Sequence, residues 1–242
     1  MLDELRAGKV ATDPAKGFLE RIRSAKTEDV RLMEIGKYLD ANASKNTVDI
    51  LQEAPESYTT IRQNELMRKV DLPGFTLYYP DGLKGVATKQ VDEIFYREIP
   101  ASVSEHSRRI IITAQANKQD DYWRNLNPNF GYSNATAGRD KTITIYNGRV
   151  LEREKVWHEM GHNFAEGRWG DAGNIGQAFS RASSVDGYIS DYARDMASAS
   201  GLTENFAESM RLYFQMPRYF KETWPNIFDV IDKLVNDPGF PG

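Results

Sequence analysis

The sequence predicts an α+β fold on three observations. Residues 1–70 carry apolar side chains at helical spacing behind good helix starts. The middle of the chain holds short runs rich in β-branched and aromatic residues between turn signals. From about residue 149 the helical pattern returns. Helices, a short sheet and then helices again is an α+β order. The 242 residues suffice for one good-sized domain with a real core. The expected organisation is a helical N-terminal region, 1–70, followed by a domain over 71–242 with a small mixed sheet.

The elements follow in chain order. Asp13-Pro14 supplies an N-cap and a first helical residue, and Phe18, Leu19 and Ile22 then fall at helical spacing. Thr27 caps a second helix carrying Val30, Leu32, Met33, Ile35 and Leu39. A short third helix over 47–53 and a fourth over 57–69 complete the first region. Asp71–Gly74 and Pro80–Gly82 are turn signals around FTLYY, a short strand over 75–79. Residues 88–98 read as a helix. RRIIITA (108–114) and KTITIYN (141–147) read as strands, the second alternating Ile143 and Ile145 with Thr142, Thr144 and Tyr146.

Between those strands, 115–139 reads as a long loop, a length that usually marks function or mobility. Its Tyr122, Trp123, Phe130 and Tyr132 either line a cleft or tuck onto the body. Residues 148–167 form one helix, 167–187 a loop rich in Gly, Ser and Asp, and a helix runs from about 203 to Pro217. The last helix covers 224–236.

Composition excludes several classes. With 40% apolar and 27% charged residues, the chain is an ordinary soluble globular protein. A net charge of −4 gives no broad basic face, so nucleic acid is not an expected partner. RIRSAK (21–26) and Arg108-Arg109 are solvated faces. There is no cysteine, which removes disulfides, thiolate ligands and a cysteine nucleophile; a metal site here must use His, Asp or Glu. MLDELRAGKV lacks the apolar core of a signal peptide. No run approaches the roughly 18 apolar residues of a membrane span. No membrane is therefore expected, and a cytoplasmic location is favoured over a secreted one. GLKGVATK (82–89) lacks P-loop spacing, and GxSxG is absent.

The chemistry concentrates in WHEMGHN, residues 157–163, which holds two of the chain's three histidines. On a helix, residues four apart share a face, so His158 and His162 can aim ring nitrogens at one ion. Glu159, rotated by about 100°, lies beside that ion, where a general base belongs. Val156, Met160 and Phe164 form an apolar stripe that anchors the helix. Gly161 costs roughly 1 kcal/mol against Ala in a helix, which makes sense if another segment packs tightly there. Catalytic zinc uses three protein ligands and keeps one position open. The third is either His106 or a carboxylate from TENFAESM (203–210), where Glu204 and Glu208 stand one turn apart. One of these carboxylates can bind zinc while the other hydrogen-bonds a ligand histidine.

HEMGHNFAEG, YISDYARD, ENFAESMRLYF and WPNIFDVIDKLV, in that order, resemble the catalytic domain of anthrax lethal factor and the related proline-specific bacterial endopeptidases. The resemblance covers about residues 140–237 and implies a zincin-like (gluzincin) catalytic domain binding one zinc ion per chain. It implies that His158, His162 and Glu204 are metal ligands. Glu159 is then the general base, and Glu208 the carboxylate behind the ligands. Tyr192, in SDYAR, matches the tyrosine that hydrogen-bonds the oxyanion. The segment between Tyr192 and Glu204 is longer than in lethal factor, which leaves Tyr188 a competitor for that role. The first seventy residues do not resemble the toxin's targeting domains. The same C-terminal pattern is similar to peptidase-like domains of phage head-morphogenesis proteins and polymorphic toxins. That likeness adds a virion-associated setting and other virion or toxin components as partners.

The expected function is therefore a zinc metalloendopeptidase, hydrolysing peptide bonds by a metal-activated water with Glu159 as base and Tyr192 at the oxyanion. The expected substrate is a peptide or protein bound along an edge strand near 141–147. A non-catalytic virion or assembly protein retaining the fold, and a zinc hydrolase acting on other bonds, are the competing readings.

Overall fold

A computed structural model describes residues 13–53, 60–96, 99–126, 128, 130–138, 140–148, 153–170, 175–237 and 239–242. MLDELRAGKV, read above for an export signal, lies outside them. The described residues form eleven α-helices and one six-stranded mixed sheet, an α+β architecture. None of these helices is long and apolar enough to cross a membrane.

The first two helices are as the sequence indicates. α1 (Asp13–Ser24) buries Phe18, Leu19 and Ile22. α2 (Glu28–Asn42) starts at Thr27, whose hydroxyl accepts the Val30 N–H at 3.3 Å. It buries Ile35 and Leu39, one turn apart, and leaves Val30 and Met33 exposed.

The helices expected over 47–53 and 57–69 are strands instead. β1 (Ser44–Glu53) and β2 (Thr60–Leu72) pair antiparallel from Ser44↔Lys69 to Glu53↔Thr60; residues 54–59 lie outside the described set. The helix formers in ILQE and NELMRK are overruled by a period-2 pattern. Val48 and Ile50 point inward while Asp49 and Leu51 point out. Cross-strand packing on such a face outweighs local propensity. The expected boundary at residue 70 falls inside β2, and Val70 shares one core with Phe18, Ile35 and Met160. The N-terminal helices thus belong to the same packed body as the rest.

β2 pairs antiparallel with β3 (Phe75–Tyr79). α3 (Lys84–Phe95) and the single-turn α4 (Ala101–Ser104) lead to β4 (Arg109–Ile112), which is parallel to β3. The expected loop over 115–139 contains α5 (Asp120–Leu126) and β5 (Ala135–Gly138). β6 (Thr142–Ile145) is parallel to β4 and antiparallel to β5, giving the order β1-β2-β3-β4-β6-β5. The strand expected at the sheet edge, within 141–147, is therefore internal, and β5 is the edge. Its composition, ATAG, carries no strong strand signal; its place comes from pairing with β6. Leu77, Ile110, Ile112, Ile143 and Ile145 face the main core. Ile111 faces a smaller cluster with Val48, Ile50 and Met67 on the other side of the sheet.

α6 (Arg153–Trp169) packs on the main core, with Val156, Met160 and Phe164 all buried. The loop expected over 167–187 contains α7 (Gln177–Asp186). α8 (Asp191–Ser200), α9 (Thr203–Gln215), α10 (Pro217–Thr223) and α11 (Pro225–Asn236) complete the chain. α7 is serine-rich and weak in local propensity. It is held by buried Phe179 and Ala182, and its Asp186 accepts the Ile227 N–H at the start of α11.

Candidate metal centre

The site is made where α6 crosses α9. A Cβ on Gly161 would stand 2.8 Å from the Ala207 Cα, so only glycine lets the two helices approach this closely. That contact sets the carboxylates of α9 against the histidines of α6. His158 Nε2 lies 3.1 Å from Glu204 Oε2 and 3.2 Å from His162 Nε2. Glu204 Oε2 is 3.5 Å from His162 Nε2. Three donor atoms converge on one point, and this group could hold a metal ion.

Behind it, Glu208 Oε1 accepts from His158 Nδ1 at 2.8 Å. That bond fixes the ring so that Nε2 faces the other two donor atoms. Arg211 then grips Glu208 with two nitrogens, Nε to Oε1 at 3.3 Å and Nη2 to Oε2 at 2.8 Å. Its remaining nitrogen donates to Gln215 Oε1 at 2.8 Å, and Gln215 donates to Glu154. The sequence reading missed Arg211. Its signal was available: it lies three residues after Glu208 and seven after Glu204, on the same helix face.

The electrostatics follow from burial and pairing. Burial disfavours a charged His158, but hydrogen bonds to Glu204 and Glu208 outweigh it and push the imidazole up to about 10. Glu204 is buried too, yet the two histidines hold its carboxyl well below the usual range. Glu208 is held down to about 2, where His158 and Arg211 overcome burial. Glu159 goes the other way. Burial raises it, the two histidines and a hydrogen bond from the Ala137 N–H pull it back, and the net shift is upward. Ala137 belongs to β5, so the carboxylate beside the donor triangle is tied to the sheet edge.

Tyr192 and Tyr188 are separated by the structure. Ser190 caps α8, its hydroxyl accepting the Ala193 N–H at 3.1 Å. This presents Tyr192, the helix's second residue, with its ring 6.1 Å from that of His158. Its phenol is pushed up by the desolvation of its position and then by the nearby Glu204 and Glu159 carboxylates. Tyr192 lines the cleft and Tyr188 does not.

His106 is not part of the centre. It lies in the turn after α4, edge-on to Phe164 at 5.2 Å. Its Nδ1 would be 1.9 Å from a Cβ on Gly167. It is a packing residue on the far end of α6.

The donor triangle opens into a cleft of about 810 Å³ bordered by β5, with Trp123, Phe130 and Tyr132 among its walls. Tyr122, the fourth aromatic of that segment, does not line it. The chain matches no protein-family model, no curated protein and no solved structure.

Proposed function

We propose that this protein is a zinc-dependent endopeptidase. The observation that carries the reading is the triangle of His158, His162 and Glu204 with Glu159 alongside. Zinc at about 2.0–2.1 Å from each of three tetrahedral ligands needs donor atoms about 3.3 Å apart. The observed separations are 3.1, 3.2 and 3.5 Å. Two imidazoles and one carboxylate suit zinc rather than magnesium or calcium, which prefer oxygen donors. The resemblance to the lethal-factor family points to the same three residues.

Zinc held there supplies Lewis acidity, acidifying water and polarising a carbonyl. The chain's own residues supply the rest. Glu159, its carboxyl raised by burial, is suited to take a proton from attacking water and return it to the leaving amine. Tyr192 keeps its phenolic proton, because burial and two carboxylates raise it, and so has an O–H to donate to a developing oxyanion. Glu208 and Arg211 orient His158. The β5 edge, paired only with β6 among the described strands, can accept an extended chain by strand addition. That favours a peptide over a compact small-molecule substrate.

The first test is zinc content of the purified protein beside Glu204→Ala, followed by cleavage of a peptide library with Glu159→Ala as control. About one zinc per chain, lost in Glu204→Ala, together with cleavage abolished in Glu159→Ala is the expected result. A parent that takes up no zinc after loading sinks the reading. Zinc without cleavage of any peptide returns the non-catalytic alternative.

A further inference from the structure

We propose that Asn205 is a positioning residue for Tyr192, tying the turn that launches α8 to the helix that supplies Glu204. The proposal rests on the peptidase reading, because only there does Tyr192 have a task.

Asn205 is fully buried at 0% exposure, and its amide bridges two segments. Its Oδ1 accepts the Ile189 N–H at 2.7 Å. Its Nδ2 donates to Ser183 Oγ at 3.2 Å and to the Gly187 carbonyl at 3.3 Å. The Ile189 N–H needs an acceptor, which fixes which end of the amide is oxygen. A buried amide with both ends satisfied holds what it touches in one arrangement. Here it holds the last turn of α7 and the turn over 187–190.

That turn decides where Tyr192 stands. Gly187 takes φ +83° and ψ −153°, a backbone region essentially restricted to glycine. Ser190 follows as the cap of α8, and Tyr192 comes two residues later. The backbone that carries Tyr192 therefore starts from this turn, and the turn sets where its ring meets the cleft. Adjacent helix residues point about 100° apart. Glu204 therefore faces the donor triangle while Asn205 faces the turn. One helix holds a metal-binding carboxylate and the oxyanion donor in register, and a shift of α9 moves both together.

The experiment compares Asn205→Ala, Tyr192→Phe and their double variant in the zinc-loaded protein, with Ser183→Ala as a milder probe of the same contacts. It reads kcat, KM, zinc affinity by chelator competition, and ring cross-peaks between Tyr192 and His158 by NMR of the metal-free protein. For Asn205→Ala, kcat should fall about 10- to 100-fold with KM and zinc affinity within about twofold, short of the ~10²–10³ lost when an oxyanion donor is deleted outright. Adding Asn205→Ala to Tyr192→Phe should cost little more, and the ring cross-peaks should weaken in Asn205→Ala. Ser183→Ala should move the same readouts less, and it carries the test if Asn205→Ala does not fold. Unchanged kcat with intact cross-peaks in the folded variant overturns the proposal, as do losses that multiply in the double variant. If the parent cleaves no peptide, the peptidase reading has failed. The cross-peaks alone then decide Asn205: retained, it does not position Tyr192; lost, it does.

Discussion

Two histidines that both pack within or against α6 are driven in opposite directions. His106 presses on Phe164 and Gly167, and its nearest carboxylate, on Glu105, is 3.8 Å away and solvent-exposed. Burial pulls its pKa below the ordinary value of 6.5, with Lys141 adding to the effect. His158 is more fully buried, yet it touches Glu204 and Glu208 and is raised. Burial does not by itself decide the fate of an imidazole; the carboxylates do. A metal-free His158 holds a proton that zinc must displace, so metal uptake at this centre should release protons and weaken in acid.

The largest expected effect breaks the chemistry at the His158 end of that contrast. Glu159→Ala should lower kcat/KM about 10²- to 10⁴-fold, the range of a general base, with zinc content retained. Loss of zinc instead would make Glu159 a ligand. Next comes Gly161→Ala. Its new Cβ would meet the Ala207 backbone at 2.8 Å, so α6 and α9 must part. Overpacking of this kind costs about 1–3 kcal/mol, measurable by denaturant unfolding, and zinc affinity should fall with it. Full zinc affinity in this variant would mean that the helix contact does not set the site.

A smaller effect isolates the support behind His158. Arg211→Met should weaken zinc binding about tenfold, the low end for residues that orient a ligand through another group. Chelator competition measures this. In Glu208→Gln, removing Arg211 as well should add little. Independent losses from the two changes would show that Arg211 acts on the metal by another route, such as long-range charge.

The sequence already contained most of this centre, because its spacing is local. His158, Glu159 and His162 lie within one and a half turns. Glu204 and Glu208 repeat that spacing on a second helix, and Gly161 announced the contact between them. What it hid was non-local. β1 and β2 mix helix formers, at ILQE and NELMRK, with a period-2 pattern, and their pairing decides for the strand. β5 is four small residues whose edge position comes from β6. Asn205 reads as a polar residue on a helix until the 187–190 turn folds onto it.

The smallest effect concerns stability and sharpens the comparison from the His106 side. His106 has a folded pKa below its unfolded value, so the unfolded chain binds the proton more readily. Its contribution is present above 6.5 and is lost as pH falls below that value. His158 in metal-free protein does the reverse: its contribution is full below 6.5 and is lost as pH rises toward about 10. Glu208 adds stability above its ordinary 4.5 that is lost as pH falls toward about 2. Unfolding of metal-free protein should therefore lose stability in two acid ranges, below 6.5 through His106 and below 4.5 through Glu208 together with Glu204, and on the alkaline side through His158 and Tyr192. His106→Leu should remove only the loss that begins near 6.5, leaving zinc affinity unchanged. If His106→Leu weakens zinc binding instead, the far end of α6 is coupled to the donor triangle, and the two histidines are not independent.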